Sequence, residues 1–136
     1  MSTSGYSGTP LPKKLGIKEG HTVALVDAPD HLPELLQPLP EGVQLRRGAR
    51  GKPDIALVFC MRTSQLTARV EQLWRLAFPD RVVWIGWPKK SSPLFTDLTE
   101  DGIRNAVLCR GLVDVKVCAI DGDFSGLKLM VRKELR

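Results

Sequence analysis

Apolar positions in this 136-residue chain alternate between short continuous runs and longer stretches with a helical period. Val23 to Val26, bounded by Gly20 and Pro29, is too short for a stable helix and reads as a buried strand. Val43 to Arg46 alternates apolar with polar and reads as an edge strand. Asp54 to Cys60 is almost wholly apolar, the pattern of a central strand buried on both faces. Leu66, Val70, Leu73 and Ala77 then recur at helical spacing, with Trp74 widening the stripe, Ser64 as the expected cap and Pro79 as the stop. Arg81 to Trp87 is a further buried strand. Asp97 and Glu100 resemble a capping box for a helix carrying Ile103, Ala106 and Val107, closed by Gly111.

Two shorter helices are expected nearer the start. Thr9 and Pro10 open one that runs through Lys13, Lys14 and Leu15 and closes at Gly16; Asp30 to Leu39 allows another, with Pro33 in its first turn. Val113 to Ile120 and Leu127 to Arg132 read as strands whose link, Asp121 to Gly126, is short enough for an antiparallel hairpin. Alternating strands and helices imply a mostly parallel sheet covered on both faces. The expected fold is therefore a Rossmann-like α/β three-layer sandwich of about six strands, ending in an antiparallel hairpin. One domain spans residues 9–136, after a Ser- and Gly-rich stretch, residues 1–8, expected to be a flexible lead-in. Ligands of such sheets bind at the carboxyl ends of the strands. That edge would gather Asp27 to Asp30, Arg62 to Ser64, Trp87 to Ser92, and Asp121.

Composition narrows the class. Hydrophobic residues at 43% and charged ones at 26% match globular averages, which argues against a disordered or fibrous body. No apolar run approaches the roughly 18 residues that span a bilayer. Met1 to Gly5 has neither the basic nor the apolar part of a signal peptide, so a cytoplasmic protein without membrane association is expected. Cys60, Cys109 and Cys118 lie in apolar contexts with no CxxC spacing and read as reduced core thiols, with neither a disulfide nor a metal site expected. The net charge is +5, and Arg46, Arg47, Arg50 and Lys52 supply four positive charges within one short loop. That loop is either a contact for nucleic acid or an acidic partner, or a plain basic connector.

The succession Leu15 to Val26, LGIKEGHTVALV, resembles the lead-in and first strand of class I S-adenosylmethionine-dependent methyltransferases. Pro53 to Val58 is similar to the strand of that fold that opens with Asp, and the terminal hairpin is also similar; about one strand-helix unit is missing. The resemblance implies the fold. Its functional residues are not matched: the turn where that family places glycines against the cofactor is Asp27-Ala28-Pro29-Asp30, and Arg46 and Arg47 stand where it uses an acid for the ribose. No cofactor is therefore expected, and a divergent methyltransferase-like enzyme remains the alternative. At whole-chain scale Tyr6 to Leu11, Trp87 to Lys90, Thr96 to Leu98, Gly111 to Val117 and Ser125 to Lys128 resemble a family of small bacterial proteins catalogued as a domain of unknown function. That likeness implies relatives and no activity.

Trp87-Pro88-Lys89-Lys90-Ser91-Ser92 ends a buried strand at the ligand-prone edge. Ammonium groups, hydroxyls and loop N–H groups are the usual donors for phosphate or carboxylate, and Arg62 falls at the same edge. The favoured reading is a non-catalytic domain binding an anionic small molecule or acidic protein partner through Lys89, Lys90, Ser91, Ser92, Trp87 and Arg62. The same segment also suits a solvated exit from the core, and Walker-type spacing is absent. Lys13 and Lys14, with Tyr6, either fold over that edge or belong to an exposed short helix with a frayed tail, the second reading being favoured. Trp84 and Trp87 point to opposite faces, Trp84 into the core and Trp87 either onto a ligand or under a helix. Nucleic-acid binding through Arg46, Arg47, Arg50 and Lys52 is a further alternative. His21 and His31 lack metal partners at ligand spacing, Cys60 has no activating neighbour in sequence, and Asp121 with Asp123 reads as Asx-type turn chemistry.

Overall fold

Six strands form one mixed sheet in the computed structural model, which describes residues 9–136. They are β1 (Thr22–Val26), β2 (Gln44–Arg47), β3 (Ile55–Phe59), β4 (Val82–Pro88), β5 (Leu112–Ala119) and β6 (Phe124–Val131). Their order is β2-β1-β3-β4-β6-β5, with β2, β1, β3 and β4 mutually parallel and β6 antiparallel to both neighbours. The hairpin expected from the sequence is present, and its second strand inserts beside β4. Among the described residues four helices complete the layers: α1 (Leu11–Leu15), α2 (Leu32–Leu35), α3 (Thr63–Ala77) and α4 (Glu100–Leu108), followed by a 3-10 turn at Lys133–Leu135. The expected lead-in, with Tyr6, lies outside the described residues.

Side-chain alternation along each strand builds one core on each face of the sheet. Val26, Val58, Ile85 and Trp87 face α3 and α4, meeting Leu66, Leu73, Ile103 and Val107. Leu25, Leu57, Phe59 and Trp84 face α1 and α2, meeting Leu15, Leu32 and Leu36. Trp84 and Trp87 thus divide between the faces as their spacing predicts, and both are buried. The Trp84 indole N–H donates to the carbonyl of Leu15 at 3.0 Å, which fixes α1 against the sheet. Gly86 leaves room for Phe59, whose ring meets Phe124 edge-on at 5.4 Å. No helix among the described residues is long and apolar enough to cross a membrane.

Three expectations are corrected. Ser64 sits inside the first turn of α3, where no cap is needed; the extended residue before the helix is Arg62. The free amides there go elsewhere: Gln65 Oε1 accepts from the N–H groups of Met61 and Arg62, and Asp97 Oδ1 accepts from Thr63 N–H at 2.9 Å. Asp97 therefore does not cap α4, because the Thr99 hydroxyl lies closer and accepts from Gly102 N–H at 3.1 Å. Cys109 is exposed at the end of α4 and Cys118 is half-buried, so only Cys60 is a core thiol.

Candidate functional site

The chain leaves β1 towards β2 on one side and returns to β3 on the other, so strand order reverses at β1. At the carboxyl ends there lies an open crevice of about 390 Å³, lined by residues that include Asp27, Ala28, Arg47, Arg69 and Gln72. Asp27 takes a left-handed φ of 54°, a conformation that favours glycine and that Asp tolerates better than most residues. Its carboxylate does not point away from the crevice; it pairs with Arg69 of α3, and Arg69 also donates to Gln72 Oε1 at 2.6 Å. The backbone shape of a glycine turn is kept while a side-chain ion pair lines the crevice beside it. Cys60, at the end of β3, is buried, and desolvation pushes its thiol up to about 11 despite nearby Arg69. It packs as a neutral group in the core.

A second pocket, of about 370 Å³, opens between the end of β4, the start of α4 and the start of β6. Trp87, Lys89, Lys90, Thr99, Glu100, Asp101 and Ser125 line it. Of the residues expected at this site, the structure therefore brings together Trp87, Lys89 and Lys90. Ser92 is buried in its own turn, its hydroxyl donating to Asp123 Oδ1 at 2.9 Å and accepting from Leu94 N–H at 3.0 Å. Ser91 is exposed and Arg62 begins α3; neither lines the pocket. The turn is fastened further by Lys89 N–H on the carbonyl of Asp123, at 2.8 Å.

Charge in this pocket is sorted by Arg104. Its guanidinium pairs with Glu100, lies 3.5 Å from Asp101, and reaches Asp114 on β5 at 2.7 Å. The bond from Arg104 holds the Asp114 carboxyl below its ordinary value, and bonds to Asp114 and Glu100 raise Arg104 in turn. Both acids of the pocket are thus drawn to an arginine. Lys89 and Lys90 enter no ion pair among the described residues. Sequence spacing placed the lysines but missed Thr99, Ser125 and the Arg104 cluster. Ser125 arrives only because β6 pairs with β4, with Trp87 opposite Ser125.

His31 Nε2 lies 2.9 Å from Asp121 Oδ2, a pairing that neither residue's sequence neighbourhood signals. Asp121 Oδ1 accepts from the N–H groups of Asp123 and Phe124, the Asx turn expected there. Burial opposes ionisation of Asp121, yet these bonds outweigh it and hold the carboxyl below its ordinary value. Lys14 does reach the carboxyl edge, where its ammonium donates to the carbonyl of Ala119 at 2.9 Å. His21 lies at the amino end, its Nδ1 accepting from Lys18 N–H. The basic loop folds on itself: Arg46 donates to the carbonyl of Arg50, Arg75 holds those of Ala49 and Gly51, and Arg47 turns into the crevice.

No family model and no curated protein matches the chain, so the likeness to a bacterial family of unknown function gains no support there. Solved structures do match across its length. A possible exported protein from Bordetella parapertussis superposes with a TM-score of 0.63 at 12% identity, over 90% of this chain and 66% of that one. A SAM-dependent methyltransferase from Aquifex aeolicus gives 0.61 at 17% identity, over 89% and 87%. Magnesium protoporphyrin IX methyltransferase from Synechocystis gives 0.55 at 14%, over 90% and 74%. The chain spans about two thirds of the Bordetella protein's length. At these identities the likeness establishes the fold alone, a Rossmann-like α/β sandwich.

Proposed function

We propose that this chain is a non-catalytic Rossmann-like domain that binds an anionic ligand at the carboxyl edge of its sheet, between β4 and α4. The observation that carries the reading is the division of charge in the pocket there: Glu100 and Asp101 turn to Arg104, while Lys89 and Lys90 keep no carboxylate partner among the described residues. Two ammonium groups, the hydroxyls of Thr99 and Ser125, and the positive end of α4 offer an anion several donors at once. Trp87 supplies the apolar floor. The test is a thermal melt in inorganic phosphate at constant ionic strength, with chloride as the reference. Phosphate raises the melting temperature of the natural protein and not of the Lys89→Ala/Lys90→Ala variant; an equal rise in both would rule the site out.

A divergent methyltransferase-like protein is the second reading. It is favoured by the open crevice at β1 and by neighbours whose own names are those of methyltransferases. Against it stands the Asp27–Arg69 pair in the turn where a cofactor would approach the backbone. Isothermal titration with S-adenosylmethionine separates the two readings: submillimolar binding supports the second and its absence the first.

A further inference from the structure

At the amino edge of the sheet, remote from the pocket of Lys89 and Lys90, three large apolar side chains, those of Trp74, Phe78 and Leu135, come together, and Leu108 is exposed at the nearby end of α4. Phe78, Leu108 and Leu135 are 41%, 39% and 45% exposed, and Trp74 is half-buried. The proximity of the three is fixed by contact. Trp74 and Phe78 stack at 5.7 Å, and a Cβ on Gly111 would meet both Leu135 and the Trp74 ring at 2.8 Å. Arg132 ties the end of α4 to this edge, its guanidinium donating to the backbone carbonyl of Leu108 at 3.3 Å and its N–H to that of Gly111 at 2.9 Å. Single exposed apolar residues are ordinary, but a converging group of this kind marks a surface that another molecule covers.

The rim identifies that molecule's charge. Arg110 adjoins Gly111, and Arg132, Lys133 and Arg136 flank Leu135 along the chain, against the carboxylates of Glu134 among them and Asp80 two residues beyond Phe78. None of the four cations takes part in an ion pair among the described residues. Arg132 and Arg136 are instead held by backbone carbonyls, Arg136 Nε donating to that of Val131 at 2.8 Å. A guanidinium fixed on one side keeps its other N–H donors in a set plane, which suits carboxylates at defined positions. Leu108 and Leu135 offer no ring for base stacking, and with the Trp74 ring stacked on it Phe78 presents a single exposed ring, too few for successive bases, which disfavours single-stranded nucleic acid. We infer that this face docks an acidic, amphipathic segment of a partner protein, its apolar side chains on Phe78, Leu108 and Leu135 and its carboxylates on the arginine rim.

The probe is a fluorescent helical peptide of about fourteen residues with Leu at i, i+3, i+4 and i+7 and Glu elsewhere, read by anisotropy on the full chain. A peptide with Gln in place of Glu, phosphatidylglycerol vesicles and a single-stranded oligonucleotide serve as competing occupants. The acidic peptide is expected to bind at least about tenfold tighter than the Gln control. Binding should fall by at least about tenfold in Arg132→Glu/Lys133→Glu and, through the apolar half, in Phe78→Ser/Leu135→Ser. Circular dichroism confirms that each variant is folded, and a folding failure in one leaves the other to decide. Lys89→Ala/Lys90→Ala should bind the peptide unchanged, which separates this face from the proposed anion site. No binding, equal binding of the Gln control, binding that survives both surface variants, or preference for vesicles or oligonucleotide overturns the inference.

Discussion

His31 Nε2 and Asp121 Oδ2, ninety residues apart in sequence, lie 2.9 Å apart and join the segment after β1 to the turn between β5 and β6. Asp121 also holds that turn through Oδ1, so one carboxylate closes two structures at once. Asp121→Ala removes all three bonds and should destabilise the protein by roughly 1–3 kcal/mol, as expected for a partly buried charged acceptor. Asp121→Asn keeps an acceptor and loses the charge. Because the folded carboxyl lies below its ordinary value, its contribution is complete above that value, near 3.8, and is lost as pH falls through the lower folded one. The stability gap between natural protein and Asp121→Asn should therefore hold above about pH 5 and shrink as pH falls from about 5 to about 2 in urea titrations; a constant gap would show that the charge contributes nothing.

Gly86 gives a sharper stability test. A Cβ there would sit 2.6 Å from Cε2 of Phe59 and 2.8 Å from Cδ2, distances no unstrained contact shows. Phe59 has little space to yield, since it is buried and meets Phe124 edge-on. Gly86→Ala should cost roughly 1–3 kcal/mol by overpacking. Gly16→Ala makes a useful contrast, because its Cβ meets nothing within 4 Å and any loss there comes from the positive φ of 80°. Denaturant midpoints that fell no further for Gly86→Ala than for natural protein would mean that the ring moves aside.

The strands were legible because burial on both faces leaves an unbroken apolar run, as in Ile55 to Phe59, and α3 because its stripe repeats at helical spacing. The caps were less so. Asp97 has the right spacing to Glu100 for a capping box, but an amide 34 residues away, that of Thr63, claims its carboxylate. The candidate site shows the same division. Lys89 and Lys90 follow directly from where β4 ends, whereas Ser125 joins them only through the β4–β6 pairing, and Ser92 is lost to Asp123 by a turn that no local pattern announces. His31 and Asp121 each lie at an element's end in sequence; only the order of the strands makes them neighbours.

Asp27 is the residue on which the two functional readings divide. It occupies a left-handed conformation at the end of β1, and its carboxylate pairs with Arg69 across the mouth of the crevice. Asp27→Gly removes the side chain and suits the same backbone shape, so two small effects oppose each other: relief of a positive-φ side chain and loss of a largely solvent-exposed ion pair. Their sum should stay within about 1 kcal/mol of natural stability. The ligand effect should be larger. If the ion pair is what closes the crevice, Asp27→Gly gains affinity for S-adenosylmethionine relative to the natural chain by about tenfold or more, measured by isothermal titration. Arg69→Ala, which opens the mouth but leaves Asp27 beside the ligand, should gain less. No heat beyond dilution for any of the three proteins would mean that the crevice is not a cofactor site in any of them, and would leave the pocket of Lys89 and Lys90 as the candidate ligand site of this edge; equal submillimolar binding by all three would mean that the ion pair does not close the crevice.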